Sequence, residues 1–342
     1  MKTSSILVIY TGGTIGMKRD SVDGTLKPFD FSQIAGEVQE LSKSSVRITP
    51  KTFDPLIDSS NVEPSMWVEL ANLIRDSHDS YDGFVVLHGT DTMAYSASAL
   101  SFMLEGLDKP VVFTGSQLPI GVPRTDGREN LVSAIEIAAA KDACGQSLVP
   151  EVCIYFNSRL LRGNRSTKFS AEAFDAFISP NCPTLADAGI TIRYNRDVIR
   201  RAPGGGLNVH TNLDTRVAIL KLHPGMTPEV MRSVVCSPAT RACIIETYGS
   251  GNALSKDWFI DIVKEASAQG KILLNVTQCI SGTVNMDLYA TGTALKNAGV
   301  VTGKDITTEA ALGKLFCLMG MSGDNSWVKA KLEENLAFEI ID

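Results

Sequence analysis

Two glycine turns that each present a threonine are the features of this sequence best suited to chemistry. One apolar stretch runs into Thr-Gly-Gly-Thr-Ile-Gly at residues 11–16, and a second runs into His-Gly-Thr-Asp-Thr at residues 88–92. Glycine takes positive φ and lets a ligand approach the backbone closely, while Thr14 and Thr90 supply hydroxyl groups. Since the carboxyl ends of parallel strands meet at one edge of a sheet, the two turns predict a single active site there.

The first turn does not have the spacing of a dinucleotide-binding loop. That loop reads G-x-G-x-x-G and opens a helix whose amino end binds phosphate, whereas residues 12–16 begin with adjacent glycines and the polar residues 17–24 have no helical apolar period. The second turn precedes a predicted helix. Asp91 and Thr92 are therefore interpreted as helix caps, as part of an anion-binding site, or as both.

Two further polar segments have the right composition for a substrate site. Asp58, Ser59 and Ser60 follow an extended segment, and their hydroxyls and backbone donors suit a small carboxylate, a serine-rich turn without a ligand being the alternative. Lys168 ends the sequence Arg-Gly-Asn-Arg-Ser-Thr-Lys after a predicted strand. It is either a surface lysine or, if it reaches Asp91, half of a carboxylate–ammonium pair that handles protons.

Composition and charge narrow the class of protein. The chain has 342 residues, enough for a sizeable core and two domains. Its formal net charge of -6 argues against nucleic acid, which requires a basic face. We find no apolar run of about 18 residues and no secretory signal pattern, so no membrane association is expected.

The cysteine and histidine patterns indicate no metal site. The seven cysteines include no C-x-x-C pair, and the four histidines form no H-E-x-x-H motif. No metal ion or organic cofactor is therefore predicted. Cys153, Cys243 and Cys279 lie in apolar runs and are predicted to be small core residues. This cysteine usage predicts a reducing, cytoplasmic compartment.

Alternating strands and helices predict an α/β fold: a larger amino-terminal domain with a mainly parallel sheet flanked by helices, and a smaller α/β carboxyl-terminal domain. The polar, glycine-rich stretch near residues 190–212 separates them. The predicted limits are 1–190 for the catalytic domain, 191–215 for the linker and 216–342 for the smaller domain. The predicted strands are 5–11, 82–88, 109–115, 151–157, 217–222, 242–247 and 271–277. The predicted helices are 64–78, 92–106, 128–141, 227–236, 256–269 and 307–319.

Five motifs together carry a resemblance to a known family. They are Tyr-Thr-Gly-Gly-Thr-Ile-Gly at 10–16, His-Gly-Thr-Asp-Thr at 88–92, Gly-Ser-Gln at 115–117, Arg-Gly-Asn-Arg-Ser-Thr-Lys at 162–168 and Gln-Cys-Ile-Ser-Gly at 278–282. In this order they resemble the bacterial L-asparaginase family, most closely its cytoplasmic type I branch. The resemblance covers nearly the whole chain. It implies a two-domain α/β fold, a homodimer or homotetramer, and hydrolysis of L-asparagine to L-aspartate and ammonia without a cofactor.

The resemblance also assigns roles to individual residues. It makes Thr14 the nucleophile that attacks the side-chain amide and forms an acyl-threonine. It makes Thr90, Asp91 and Lys168 a second group that activates a hydroxyl or water and relays protons to ammonia. Backbone N–H groups near the two threonines hold the oxyanion. The substrate-binding residues implied are Asp58, Ser59 and Ser60 for the α-carboxylate, Asp91 for the α-ammonium, and Thr90 and Ser116 in the same pocket.

The sequence departs from the family pattern at two places. Many members have a tyrosine on the loop after the first motif, where this chain has Thr25, so we consider Tyr289 as the phenol that serves Thr14 of its own or a neighbouring chain; a packed core aromatic is the alternative. Some type I members have a regulatory asparagine site that uses an arginine. Here Glu246 takes that place, while Thr167 and Cys279 of the same site are present.

Three other functions compete with this interpretation. An ammonia-supplying amidotransferase subunit shares the core but carries an extra amino-terminal domain, whereas this chain starts at its first strand. An autoprocessed hydrolase would expose Thr14 as a new terminus, and intact mass tests for the cleavage. A non-catalytic amino-acid sensor would keep the pocket, and only the altered residues Thr25 and Glu246 favour it. Release of ammonia from asparagine would exclude the sensor.

Overall fold

The computed structural model describes residues 3–19, 26–28 and 46–341. These residues form two compact units that divide after Val209. Thr25, the residue in place of the loop tyrosine, lies outside the described residues. None of the described helices is long and apolar enough to cross a membrane.

The first unit is built around one large sheet. Its strands are β1 (Ser5–Tyr10), β2 (Met17–Arg19), β3 (Leu26–Pro28), β4 (Arg47–Thr52), β5 (Gly83–Leu87), β6 (Leu104–Glu105), β7 (Val111–Thr114), β8 (Val152–Phe156), β9 (Arg159–Arg162), β10 (Thr167–Lys168), β11 (Phe177–Ile178), β12 (Ala186–Ala188), β13 (Ile192–Tyr194) and β14 (Asn208–Val209). Eight of them form the sheet in the order β13-β12-β9-β8-β7-β5-β1-β4. From β4 to β8 neighbouring strands are parallel, and from β8 to β13 they are antiparallel.

The central strands explain why the sequence reads as unbroken apolar runs. Strands β1, β5, β7 and β8 are buried at every residue, as expected for a parallel sheet covered on both faces. The α-helices among the described residues of this unit are α1 (Pro64–Ser77), α2 (Met93–Met103) and α3 (Gly127–Ala139). Because β1, β5 and β7 are parallel, the segments that follow them leave the sheet at one edge.

Part of the predicted linker belongs to the first unit. Ile192–Tyr194 pairs antiparallel with β12 and forms the edge of the large sheet, so residues 192–194 are structured rather than connecting. The apolar–polar–apolar order Ile-Arg-Tyr suits an edge strand with one face on the core. The helix predicted to reach residue 106 ends at Met103 and is followed by β6, which pairs with β14. The predicted domain limits stay a prediction.

The second unit carries a smaller parallel sheet. Its strands are β15 (Val217–Lys221), β16 (Ala242–Thr247), β17 (Ile272–Thr277) and β18 (Val301–Thr302), paired in chain order. Its helices are α4 (Pro228–Val235), α5 (Asp257–Ala268), α6 (Ala290–Asn297), α7 (Thr308–Met321) and α8 (Asn325–Glu333). The predicted fold class is confirmed, although the sequence did not indicate α6 or α8.

Candidate active site

The two threonine turns lie in direct backbone contact. Gly13 has φ +92°, and a β-carbon placed on it would lie 2.5 Å from the backbone nitrogen of Gly89. Such a separation excludes any side chain at Gly13. The turns that carry Thr14 and Thr90 are therefore packed against each other at the carboxyl ends of two neighbouring strands.

The register of β1 and β5 sets this contact. Tyr10 is paired with Leu87, the last residue of each strand. Thr11 continues the pairing by donating both its backbone N–H and its hydroxyl to the Leu87 carbonyl, each at 3.0 Å. Strands β1 and β5 therefore end at the same level of the sheet, and the two turns begin side by side.

Thr90, Asp91 and Lys168 meet as the sequence predicted. Lys168 Nζ donates to Thr90 Oγ1 at 2.9 Å and forms an ion pair with Asp91 Oδ1 at 2.7 Å. The lysine side chain is 19% exposed and the aspartate 59%, so the ammonium is mostly withdrawn from water while its partner faces solvent. The alternative that Lys168 is an unpaired surface lysine is therefore wrong, because its ammonium contacts both a hydroxyl and a carboxylate.

The segment with Asp58, Ser59 and Ser60 packs beside the second turn. Ser59 is buried, and a β-carbon on Gly89 would lie 2.4 Å from Ser59 Oγ. Asp58 Oδ1 accepts the backbone N–H of Ser60 at 3.0 Å and so caps the short helix Ser59–Asn61. Asp58 and Ser60 are exposed, which leaves polar groups at the mouth of the site.

The interpretation of Thr92 as a side-chain cap of α2 is wrong. Its side chain makes no capping hydrogen bond, because the hydroxyl donates to the Ser59 carbonyl at 2.7 Å. Asp91 also does not cap, since its carboxylate pairs with Lys168. Both side chains therefore join the second turn to other segments of the site.

Ser116 is held in a clamped loop after β7. Asp126 accepts the backbone N–H groups of Gln117 and Leu118 at 2.9 and 3.1 Å. Asn130, fully buried, donates to the Gly115 carbonyl at 3.0 Å. The Ser116 hydroxyl donates to the Leu118 carbonyl at 2.6 Å, so in this structure it supports its own loop.

Two buried aromatic residues with polar atoms lie at the bases of the turns. The Tyr10 hydroxyl donates to the Gly13 carbonyl at 3.3 Å, and burial raises the pKa of this phenol to about 12. His88 Nδ1 is 2.7 Å from the Gly89 carbonyl, and burial lowers the pKa of the imidazole to about 4 against a smaller opposing contribution from that hydrogen bond. Tyr10 and His88 were part of the quoted motifs but received no role from sequence. The available signal was a polar aromatic at or just after the end of an apolar strand.

Three predicted site residues belong to the second unit. Tyr289 precedes α6 and is 49% exposed, so the alternative of a packed core aromatic is wrong for this chain. Glu246 is the half-buried penultimate residue of β16. Cys279 is exposed, which corrects its prediction as a core residue: it lies two residues beyond the end of β17, in a bend. Cys153 and Cys243 are buried as predicted.

Thr167, the remaining residue of the predicted regulatory set, lies in the first unit. It is half-buried and starts the short strand β10, which pairs with β11. Within the described part of the chain, no group of three or more His, Cys, Asp or Glu side chains is arranged to hold a metal ion.

Known proteins resemble this chain over its full length. Two family models match it: one described as asparaginase, N-terminal, over residues 5–200, and one described as glutaminase/asparaginase C-terminal domain over residues 216–331. L-asparaginase 1 of Escherichia coli strain K12 is 43% identical, with 99% of each chain covered.

Solved structures give the same result. The crystal structure of L-asparaginase I from Vibrio cholerae superposes with a TM-score of 0.91 at 40% identity, covering 99% of this chain and all of that one. The thermostable L-asparaginase from Thermococcus kodakarensis superposes with a TM-score of 0.90 at 31% identity and 99% coverage of both chains. The family resemblance noted in the motifs is confirmed, and the chain belongs to the asparaginase family.

Proposed function

We propose that this protein is an L-asparaginase that hydrolyses L-asparagine to L-aspartate and ammonia through an acyl-threonine at Thr14. The observation that carries the proposal is the contact of Lys168 with both Thr90 and Asp91, on a turn packed against the turn of Thr14. A nucleophile and a proton-handling group are thereby placed side by side, as covalent amide hydrolysis requires.

In the proposed first step, Thr14 Oγ attacks the carbon of the substrate's side-chain amide. A C–O bond forms, and the carbonyl electron pair moves to the oxygen, where backbone N–H groups stabilise it. The C–N bond then breaks, and the leaving nitrogen takes up a proton and departs as ammonia. The threonine hydroxyl proton and the proton delivered to nitrogen balance, so no external acid is consumed.

Thr90, Asp91 and Lys168 are proposed to transfer these protons. They are also proposed to assist the second step, in which water hydrolyses the acyl ester. Lys168 donates to Thr90 Oγ1, which leaves the Thr90 hydroxyl proton available to a water or to the leaving nitrogen. Asp91 holds the lysine in place through its ion pair. Water attacks the acyl ester, aspartate leaves, and Thr14 regains its proton.

The substrate's α-substituents are proposed to bind at the segment 58–60 and at Asp91. The hydroxyls of Ser59 and Ser60 suit the α-carboxylate. Asp58 acts by holding the turn, since its Oδ1 already accepts the Ser60 N–H and one carboxylate does not bind another directly. Asp91, largely exposed, suits the α-ammonium, and Ser116 borders the same pocket.

The direct test is ammonia release from L-asparagine by the purified protein. We expect turnover with L-asparagine and none by the Thr14→Ala protein prepared in parallel, which controls for a contaminating asparaginase. Comparison with L-glutamine then measures the preference for the shorter side chain. Absence of ammonia release from either amide would overturn the proposed function.

The other functions considered from sequence are not favoured. L-asparaginase 1 of Escherichia coli is 43% identical over 99% of both chains, and the Vibrio cholerae structure is 40% identical over its whole length, which favours hydrolysis over amidotransfer or sensing. We propose a homodimer or homotetramer in the cytoplasm, in keeping with the type I resemblance. Light scattering on the eluting protein measures the assembly.

We expect asparagine regulation to be weak or absent. Glu246 Oε1 accepts the Thr308 hydroxyl at 2.7 Å, and its Oε2 lies 3.8 Å from Lys221 Nζ. The carboxylate is therefore engaged within its own unit, and its negative charge disfavours a ligand carboxylate. Initial-rate curves against asparagine should be hyperbolic.

The measurement is the Hill coefficient, with Glu246→Ala as the comparison variant. Both proteins should give a coefficient near 1. A wild-type value clearly above about 1.5 would show that another residue binds the effector carboxylate.

Tyr289 is proposed to supply the phenol that the first loop lacks. Its hydroxyl has no hydrogen-bond partner among the described residues and its side chain is half exposed, so removing the oxygen should not affect folding. We expect Tyr289→Phe to lower kcat strongly while the melting temperature and the oligomer stay unchanged. Tyr248→Phe, in the same unit, is the matched control and should keep its turnover. Near-wild-type kcat in Tyr289→Phe would make this tyrosine structural.

A further inference from the structure

The peptide units that precede the two threonines are each held from below by a buried aromatic side chain. His88 Nδ1 lies 2.7 Å from the Gly89 carbonyl, and the Tyr10 hydroxyl donates to the Gly13 carbonyl at 3.3 Å. Both aromatic side chains are buried, with His88 only 1% exposed. The same arrangement thus occurs twice, at the ends of neighbouring strands.

The tautomer of His88 follows from its partners. The Gly89 carbonyl only accepts hydrogen bonds, so Nδ1 carries the proton, and in a neutral imidazole Nε2 is then an acceptor. Ser96 Oγ lies 3.0 Å from Nε2 and donates to it, while Ser96 in turn accepts the Trp67 indole N–H at 2.8 Å. These hydrogen bonds form a chain in which each group donates to the next, from Trp67 through Ser96 and His88 to the Gly89 carbonyl.

Burial keeps the imidazole of this hydrogen-bond chain in its neutral form. The His88 pKa is lowered to about 4 because the imidazolium would be desolvated. Near neutral pH the ring is therefore uncharged, with Nδ1 protonated. Every polar atom of the chain has a partner of the right kind, so the orientation of the Gly89 carbonyl is fixed.

The geometry of the peptide bond carries this orientation to the threonine. The only cis peptide among the described residues is Asp54–Pro55, so the peptides joining Gly13 to Thr14 and Gly89 to Thr90 are trans. In a planar trans peptide the C=O and N–H bonds point to opposite sides. Carbonyls held toward the interior therefore direct the N–H groups of Thr14 and Thr90 the other way.

These two N–H groups have no hydrogen-bond acceptor among the described residues. We infer that Tyr10 and His88 are positioning residues for the proposed amide hydrolysis: they hold two peptide units so that the Thr14 and Thr90 N–H groups face the oxyanion. A hydrogen bond to each carbonyl also polarises the peptide and strengthens its N–H as a donor. This inference rests on the proposed function.

The first test removes single donors without changing shape. Tyr10→Phe deletes one hydroxyl, and Tyr155→Phe is its matched control, since Tyr155 is equally buried but donates to Glu129 at 2.5 Å. We expect Tyr10→Phe to lower kcat about tenfold, less than complete loss of an oxyanion donor, which costs roughly 10²–10³-fold. KM and the affinity for the product aspartate should stay within about twofold, because aspartate has no tetrahedral oxyanion. Equal kcat values for the two variants would overturn the role of Tyr10.

The second test compares two replacements of His88, one that keeps a hydrogen-bond donor for the Gly89 carbonyl and one that does not. The amide nitrogen of asparagine lies close to the position of imidazole Nδ1, so His88→Asn keeps a donor for Gly89, whereas His88→Leu keeps none. We expect His88→Leu to lower kcat between about 10- and 100-fold, and His88→Asn to recover most of the loss at a similar melting temperature. Equal losses in both variants, or near-wild-type kcat in His88→Leu, would overturn the role of His88.

The third test measures the hydrogen-bond chain from Trp67 to the Gly89 carbonyl, first by spectroscopic readouts that do not depend on catalysis and then by kcat. Nitrogen NMR of the wild-type protein should show His88 with the proton on Nδ1, and Ser96→Ala should change Trp67 fluorescence and lower kcat. Ser98→Ala on the same helix is the matched control, because Ser98 donates to the Gly163 carbonyl instead. A proton on Nε2 would overturn the inference even if ammonia is released, whereas an inactive wild type with the Nδ1 tautomer would overturn the proposed function and leave only the hydrogen-bond chain established.

Discussion

Replacing Thr14 by alanine is expected to lower kcat by at least about 10³-fold and to leave the protein folded. Thr14 is proposed to form the covalent bond, and no neighbouring hydroxyl occupies its position on the turn. Thr90→Val should reduce kcat by a comparable factor, because Lys168 would lose its hydroxyl partner. The measurement is steady-state ammonia release together with thermal unfolding.

Thr114→Val is the control for loss of a threonine hydroxyl at this edge of the sheet. Thr114 is buried at the end of β7 and donates to the Tyr155 carbonyl at 2.8 Å. This variant should lose stability, about 1 kcal/mol, yet keep kcat within a few-fold. A Thr14 or Thr90 variant that retains more than about a tenth of wild-type kcat would remove that residue from the proposed mechanism.

Asp91 and Lys168 are expected to act as one unit, so the effects of losing them should not add. Asp91→Asn weakens the ion pair and Lys168→Met removes it together with the hydrogen bond to Thr90. Each change should lower kcat by about 10²-fold or more, and the double variant should be little worse than the poorer single variant. The coupling free energy from the double-mutant cycle should exceed about 1 kcal/mol.

A second ion pair of the first unit serves as the reference cycle. Lys141 and Asp82 are 2.7 Å apart, the same separation as in the Lys168–Asp91 pair, but Asp82 accepts the backbone N–H of Ser5 at the start of β1, at the opposite edge of the sheet. Their replacement by Met and Asn should leave kcat within about threefold. Strict additivity in the Asp91–Lys168 cycle would mean that the two residues serve separate steps.

The parts of the fold that sequence predicted are those with one strong physical signal. The central strands β1, β5, β7 and β8 are buried on both faces, so each reads as an unbroken apolar run. A helix was predicted over residues 64–78, and α1 spans Pro64–Ser77, because proline suits the first turn.

The parts that sequence missed have weak local signals. Strand β9 follows β8 through Asn157 and Ser158, which both have positive φ, and such two-residue turns normally announce themselves with glycine. Helix α6 contains Gly and two Thr in eight residues, a composition of low helix propensity. The wrong prediction for Cys279 assigned it to the apolar run of β17, although Thr277 and Gln278 separate it from the buried residues of that strand.

The sequence predicted the hydroxyl-bearing and charged residues of the candidate site, but not the hydrogen bonds that hold their turns in place. Thr90, Asp91 and Lys168 were proposed together, and the structure brings them into contact. The supporting contacts of Tyr10, His88 and Asp126 are short in sequence, but they depend on how each turn folds and, for His88, on the tautomer of the ring. The residue types mark a polar aromatic at the end of each apolar strand, but they do not specify which atom it contacts.

The contact between Gly13 and Gly89 also limits how this enzyme can change over time. A side chain added at Gly13 would collide with the backbone of Gly89, and neither residue has a side chain that a second mutation could shorten. A lineage that acquires a larger residue here therefore has no compensating partner substitution available. Variation in substrate preference must arise at other positions, while this pair of positions stays the same.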